Sequence, residues 1–144
     1  MRRVLPALAF AFAVAAGAAA AQVVNHDIAV QAIMATGVNP AALAFWAGGN
    51  DPPENETPAE AEARWAAAVT GAQALQAGGR RLLQHSRPGR WDEFSRLLIE
   101  GGEKGEAAAR ARDVDAAFAI GGDQVYNACN GCHKTYIPSP PRAP

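Results

Sequence analysis

Residues 126–136 read Tyr-Asn-Ala-Cys-Asn-Gly-Cys-His-Lys-Thr-Tyr, and this stretch holds both cysteines of the 144-residue chain, with a histidine directly after the second. The C-x-x-C-H arrangement is typical of covalent c-type haem attachment. On a helix, Cys129, Cys132 and His133 lie on one face, because residues three and four apart are neighbours. Two thioether bonds and one iron ligand then serve a single macrocycle. The motif therefore predicts that Cys129 and Cys132 bind haem c and that His133 is the proximal iron ligand.

Three other uses of two nearby cysteines compete with haem attachment. A thioredoxin-like redox pair belongs near a βαβ pattern, and no alternating strand pattern precedes this motif. A zinc site needs four ligands, and the sequence offers no second Cys/His pair. A disulfide between Cys129 and Cys132 would close a tight, strained loop. Haem attachment is favoured because the export signal and the helical context agree with it, and the other three readings stay open.

The N-terminus is typical of a secretory signal peptide. A charged start at Arg2 and Arg3 is followed by an apolar run over 4–16 and by four alanines at 18–21. A membrane anchor is the alternative, but the apolar core is rich in alanine and shorter than the roughly 20 residues that a span requires. We predict a signal peptide over 1–21, no membrane anchor, and a single domain over 22–137.

The charge of the mature chain limits its partners. Removal of Arg2 and Arg3 leaves 11 Lys and Arg against 14 Asp and Glu, a net charge of −3. A mildly acidic chain is a poor nucleic-acid binder, so no nucleic-acid partner is predicted. Free cysteines in an oxidising compartment tend to pair, and thioether attachment would prevent this. For a Gram-negative source, the predicted location is the periplasm.

Apolar periodicity predicts a first helix, A, over 23–34, with Val24, Ile28 and 30–34 as its apolar positions. Gly37 and Pro40 interrupt it, so that 40–46 is either a kinked continuation or a separate helical turn. A loop over 48–58 follows, since that run has no apolar residue to bury.

Three further helices are predicted. Thr57 and Glu60 form a capping box with Pro58 at the first helical position, which starts helix B, expected to run to about 85. Helix C runs from 91 to about 112 after a turn at 87–90. Helix D starts after the N-cap Asp113 and ends before Pro138, leaving 138–144 as a disordered or extended Pro-rich tail. Its predicted inward face comprises Val114, Phe118, Gly122, Val125, Cys129, Cys132 and Tyr136.

Four helices with mostly short connections predict an all-α fold, an antiparallel four-helix bundle. The covalent haem would lie at the end of the bundle that holds the terminus of the C-terminal helix. The topology brings five side chains near His133: Met34, His85, Arg87, Arg90 and Trp91. Trp91 and Phe118 are expected in the core.

A helical bundle with C-x-x-C-H near its C-terminus resembles the class II c-type cytochromes, the cytochrome c′ family. Tyr136 stands at the aromatic position three residues after the haem histidine, and Met34 matches a methionine in the first helix. Similarity extends to 40–46 and 80–91, and so to nearly the whole mature chain. Ile137 departs from the pattern, which often has a basic residue there, so a positive charge beside the proximal histidine is in doubt.

The resemblance implies two functions. Low-spin members are one-electron carriers in which the methionine, here Met34, is the sixth iron ligand. High-spin members have an open iron position and bind NO or CO. Met34 also suits a core position, where methionine commonly fills gaps, and His26 and His85 are rival ligands.

The favoured interpretation is an electron carrier that exchanges electrons with redox partner proteins. The sequence shows no nucleophile and base pair, so no enzyme activity is predicted. Arginines at 80, 81, 87 and 90 are expected in solvent, where some would pair with haem propionates. The resemblance also implies a homodimer through the first two helices.

Overall fold

A computed structural model describes residues 28–137, and this part of the chain contains four helices and no strand. The helices are α1 (Ile28–Gly49), α2 (Pro58–Leu83), α3 (Trp91–Ala111) and α4 (114–136). The all-α prediction is therefore confirmed, and the arrangement is compatible with a helical bundle. The predicted signal peptide over 1–21, His26 and the tail over 138–144 lie outside the described residues.

The helix boundaries follow the capping signals in the sequence. The N–H of Thr57 donates to Glu60 Oε2 over 2.8 Å, while the N–H of Glu60 donates to the Thr57 hydroxyl over 3.3 Å, so the predicted capping box is present. The Asp113 carboxylate accepts from the N–H of Ala116 at 3.0 Å and caps α4. Each cap satisfies backbone donors that a helix start would otherwise leave unpaired.

Two glycines of α2 and α3 allow close approach between helices. A Cβ at Gly71 would lie 2.6 Å from the carbonyl oxygen of Ala41 in α1, and one at Gly102 would lie 2.7 Å from that of Ala72 in α2. Only glycine permits backbones to pack at these distances. The core between the helices then forms around large buried side chains such as Phe45 and Leu75.

Two of the helices contain a π-helical turn, at Met34–Val38 in α1 and at Gly121–Val125 in α4. In the first, the N–H of Asn39 donates to the carbonyl of Met34, five residues earlier. Pro40 has no N–H, and in an α-helix its ring would clash with the carbonyl four residues before it. The wider turn accommodates Pro40, so 40–46 continues the first helix instead of forming a separate one.

The π turn of α4 has a partner on α1. Trp46 Nε1 donates a 3.2 Å hydrogen bond to the carbonyl oxygen of Gly121, and a Cβ at Gly121 would lie 2.7 Å from the Trp46 ring. The same carbonyl accepts the N–H of Tyr126, five residues further on, so the indole adds a second donor to the oxygen that closes the π turn.

The π turn of α4 shifts the buried face of that helix by one residue before the turn. Phe118, predicted in the core, is 64% exposed, and Ala117 is buried in its place. Ile28, predicted on the apolar face, is 59% exposed, whereas Ile33 is buried. The predictions used a constant 3.6-residue period, which fails where a wider turn takes up an extra residue. This accounts for Phe118, whereas Ile28 is the first described residue of α1, six residues before its π turn; Trp91 is buried as predicted.

Helix α1 carries no charged residue from Ile28 to Gly49. By length and composition it is apolar enough to cross a membrane, a test that the core helix of a soluble protein also meets. Its buried residues, including Ile33, Val38 and Phe45, pack in the core.

Candidate functional site

All four helices line one cavity of about 810 Å³. This volume lies in the upper part of the range of small-molecule and cofactor pockets, about 300–1,000 Å³. The four residues predicted as haem ligands and attachment points all line it: Met34, Cys129, Cys132 and His133. The spacing of the motif and the topology of the chain thus bring these residues to one place.

The cavity has apolar walls and a partly polar opening. Its apolar lining includes Val30, Val38, Leu82, Trp91, Phe94 and Leu98. Arg87 and His133 line it as well, and among residues 28–137 no acidic side chain does. His133 and Ile137 are exposed to solvent while lining the cavity, so its mouth lies at the C-terminal end of α4. An apolar interior with a few polar groups at the rim suits a flat, largely apolar macrocycle with charged propionates.

Gly131 lets the attachment motif approach α3. A Cβ at Gly131 would overlap the Phe94 ring, so only glycine fits between the two cysteines at this packing distance. The contact fixes the side of α4 that faces the cavity, with Cys129 and Cys132 half-buried on it.

The end of α4 is tied to the turn between α2 and α3. The Tyr136 hydroxyl donates a 2.7 Å hydrogen bond to the carbonyl of Pro88. Its ring packs edge to face on Trp91, with ring centres 5.1 Å apart. Trp91 in turn donates from Nε1 to the carbonyl of Leu82 over 2.9 Å. These bonds hold α2, α3 and α4 together at the mouth of the cavity.

The thiols of Cys129 and Cys132 are free in the structure. Burial raises the pKa of the Cys129 thiol above its ordinary value. Burial is also the main cause of the raised pKa of Cys132, with Cys129 adding to it and the positive charge of Arg87 opposing it. A thiol with a raised pKa stays protonated near neutral pH, whereas catalytic redox pairs have a lowered one. This electrostatic setting disfavours the thioredoxin-like reading.

Met34 belongs to the π turn of α1 and is half-buried against the core. Met34 lines the cavity from α1, and His133 lines it from the last turns of α4. Of the other side chains that the topology was expected to bring near His133, Arg87 and Trp91 line the cavity but His85 and Arg90 do not.

Sequence reasoning missed Ser95, which lines the cavity and is buried. Its hydroxyl donates to the carbonyl of Trp91 over 2.9 Å, so its polar atom is satisfied within α3. The available signal was its position between Phe94 and Leu98 on the inward face of α3. The apolar residues around it predicted a core face, and nothing marked the serine as part of a cavity lining.

The fold and the site define a helical protein whose cavity carries C-x-x-C-H on its last helix. Comparison of the chain with protein families, with curated proteins and with solved structures found no match.

Proposed function

We propose that this chain is a periplasmic mono-haem c-type cytochrome that carries single electrons between redox partner proteins. The main support for this proposal is one apolar cavity of about 810 Å³. Its lining includes Cys129, Cys132, His133 and Met34. The cavity supports the choice of haem over the other uses of two cysteines, because its volume and lining suit a macrocycle.

In this proposal Cys129 and Cys132 hold haem c through thioethers, His133 is the proximal ligand and Met34 the sixth. When bound, haem would supply an iron that can gain and lose one electron. Trp91, Phe94 and Leu98 exclude water from the cavity interior. Ligation by Met and His raises the reduction potential and suits electron transfer.

We infer that the four helices form the antiparallel bundle of the cytochrome c′ family. Contacts along α1 and α2 support this, since Gly48 packs on Trp65 while Val38 packs on Gly78, so the two helices run in opposite directions. An ion pair between Arg112 and Glu62 joins the end of α3 to the start of α2 in the same way. The haem would occupy the end of the bundle at which α4 ends.

Covalent attachment is tested by co-expression with the haem-maturation machinery, followed by denaturing electrophoresis with haem-peroxidase staining and by intact mass. We expect a stained band with the mass of one haem on a chain beginning near Gln22. Cys129→Ala and Cys132→Ala should each weaken or abolish retention of haem. Ser95→Ala is the matched control, since it lines the same cavity without a bond-forming role. An unstained wild-type band would refute the proposal.

Ligation by Met34 decides between the electron carrier and its alternative, a five-coordinate cytochrome c′ that binds NO or CO. We expect a low-spin ferric spectrum with a weak sulfur-to-iron band in the near infrared. Met34→Ala should lose this band, become high-spin and bind CO when reduced, while Val30→Ala, another lining residue of α1, should keep it. A high-spin wild-type spectrum that Met34→Ala leaves unchanged would favour gas binding.

The homodimer remains part of the proposal. The uncharged surface of α1 supports it, because exposed residues such as Leu43 and Ala47 would pack against a second copy at little desolvation cost. Sedimentation of the holoprotein tests it.

A further inference from the structure

Charge is divided unevenly between the two halves of the described chain. When each helix is divided at its midpoint, the half that holds the cavity (28–38, 71–101 and 124–137) contains six Arg and Lys and three Asp and Glu, a net +3 with histidines neutral. The other half (39–70 and 102–123) contains four Arg and Lys and ten Asp and Glu, a net −6. A chain that is acidic as a whole therefore has a basic end at the cavity.

The pairing of the basic side chains differs between these halves. In the half away from the cavity, each basic side chain has a carboxylate partner: Arg64 with Glu56, Lys104 with Glu100, Arg110 with Glu106 and Arg112 with Glu62. In the cavity half, the side chains of Arg81, Arg96 and Lys134 form no ion pair or hydrogen bond within residues 28–137. No carboxylate of this range neutralises their charge.

Three cations line the cavity or lie beside residues that do, each from a different element, and together we name Arg81, Arg87 and Lys134 the basic rim. Arg81 reaches the π turn of α1, with Nη1 3.8 Å from the position of a Cβ on Gly37. Arg87 lines the cavity with its guanidinium carbon 4.5 Å from the centre of the Trp91 ring. Lys134 directly follows His133 and is exposed.

We propose that the basic rim is the surface on which a redox partner protein with an acidic face docks. The proposal rests on the proposed function, because a one-electron carrier must present its haem end to a partner. A dipolar charge distribution orients an approaching protein, so an acidic partner meets the cavity end first although the whole chain is acidic. Exposed Ile137 beside the rim supplies an apolar contact within a charged border, the usual anatomy of an interface.

A protein partner fits this surface better than a membrane. Lipid recognition typically uses clusters of about 4–8 Lys and Arg. The rim has three cations, and they come from three different elements instead of lying along one helix face. The propionates of haem would lower the positive charge of this end without removing its contrast with the acidic end.

The sign of the local charge is measured with small redox probes. After covalent haem is confirmed by intact mass, the ferrous holoprotein is oxidised by hexacyanoferrate(III), an anion, and by tris(phenanthroline)cobalt(III), a cation. One electron passes from the ferrous haem to the metal of either complex. We expect oxidation by the anion to slow on the order of tenfold as salt rises to physiological ionic strength, because screening removes the attraction. A rate that rises with salt, as the net charge of the whole chain demands, would overturn the proposal.

Matched variants locate the effect. Arg81→Gln with Lys134→Gln should remove most of the salt dependence with the anion, whereas Arg110→Gln with Arg112→Gln, which lose the same charge at the other end, should retain it. Poly-L-glutamate, as an acidic polypeptide probe, should slow the same oxidation and poly-L-glutamine should not. Equal effects of the two double variants would refute the basic rim.

The remaining outcomes separate the proposals. Sedimentation of the holoprotein with phosphatidylglycerol vesicles at physiological salt, lost in the Arg81 and Lys134 variant, would overturn the protein partner in favour of a membrane surface. A chain that carries no haem fails the proposed function before any rate is measured. If the chain carries haem but oxidation by the anion speeds up with salt, only the docking proposal is rejected and the proposed function stands.

Discussion

Gly131 lies within the attachment motif and also allows α4 to pack closely against Phe94 of α3. A side chain there would push the Phe94 ring, which is buried and lines the cavity. Overpacking of this kind costs about 1–3 kcal/mol, more than the roughly 1 kcal/mol that alanine gains over glycine in a helix. We therefore expect Gly131→Ala to lower the free energy of unfolding, measured by denaturant titration of the holoprotein.

Gly122 provides the control for that substitution. It lies in the same helix, and a Cβ there would meet nothing within 4 Å. Gly122→Ala should raise stability by about 0.5–1 kcal/mol, since alanine restricts the unfolded chain more than glycine. If both variants are stabilised, Phe94 moves aside freely and the close contact does not constrain α4.

At the scale of single residues, spacing was the informative signal. The positions of Cys129, Cys132 and His133 at three and four residues predict a shared helical face, and all three line the cavity. Ser95 could not be found in this way, because a lone polar residue among apolar ones has no spacing to detect.

Among the elements, α4 depends on a contact from α1. The carbonyl of Gly121 accepts the N–H of Tyr126 within the π turn, and Trp46 gives the same oxygen a second donor from another helix. Trp46→Phe keeps an aromatic ring but removes the donor, and we expect a loss of about 1 kcal/mol. Amide hydrogen exchange should become faster around 121–125, where local opening is no longer opposed by the indole.

Trp65→Phe is the matched control, because Trp65 is buried and its ring nitrogen donates no hydrogen bond within residues 28–137. It should lower global stability without selective loss of protection at 121–125. Equal protection patterns in the two variants would mean that Trp46 contributes packing alone.

Helix boundaries were predictable because their signals are local. Thr57, Glu60 and Asp113 carry their own capping chemistry, whatever the rest of the chain does. The π turns were not predictable in the same way: Pro40 signalled an interruption without its form, and nothing around Gly121 revealed that Trp46 would stabilise a wide turn there.

For the molecule as a whole, the loop between α1 and α2 is secured by Arg64. The guanidinium donates to both carboxylate oxygens of Glu56, at 2.6 and 2.9 Å, and to the carbonyls of Ala47 and Gly48 at the end of α1. The two side chains are only 15% and 11% exposed. One residue of α2 thus connects the loop and the end of α1.

This contact predicts an acid sensitivity. The hydrogen bond from Arg64 lowers the pKa of Glu56 below its ordinary value. A carboxylate whose pKa is lowered by folding contributes stability that is present above its unfolded pKa, about 4.3, and is lost as the pH falls through the folded pKa. We expect the free energy of unfolding of the wild type to fall below about pH 4.3, and less so in Glu56→Gln, when denaturant titrations are compared across this range.

Glu54→Gln is the control for the loop. It removes the same charge two residues away, at a side chain that has no ion pair in the described part of the chain. It should retain the wild-type dependence on pH. A Glu56→Gln variant with an unchanged acid response would show that other carboxylates govern it; Glu93 and Glu106, whose pKa values are lowered by Arg90 and Arg110, would then be the next to substitute.

The two π turns also determine how this chain is aligned with other helical proteins. Each turn takes up one residue more than the α-helical turn it replaces, so it acts as a single-residue insertion inside a helix. An alignment of this chain therefore needs gaps at Met34–Val38 and Gly121–Val125, well away from any loop. With the gap in α4, buried Ala117 and Val125 keep the spacing of one inward face across the turn, and exposed Phe118 stays off it.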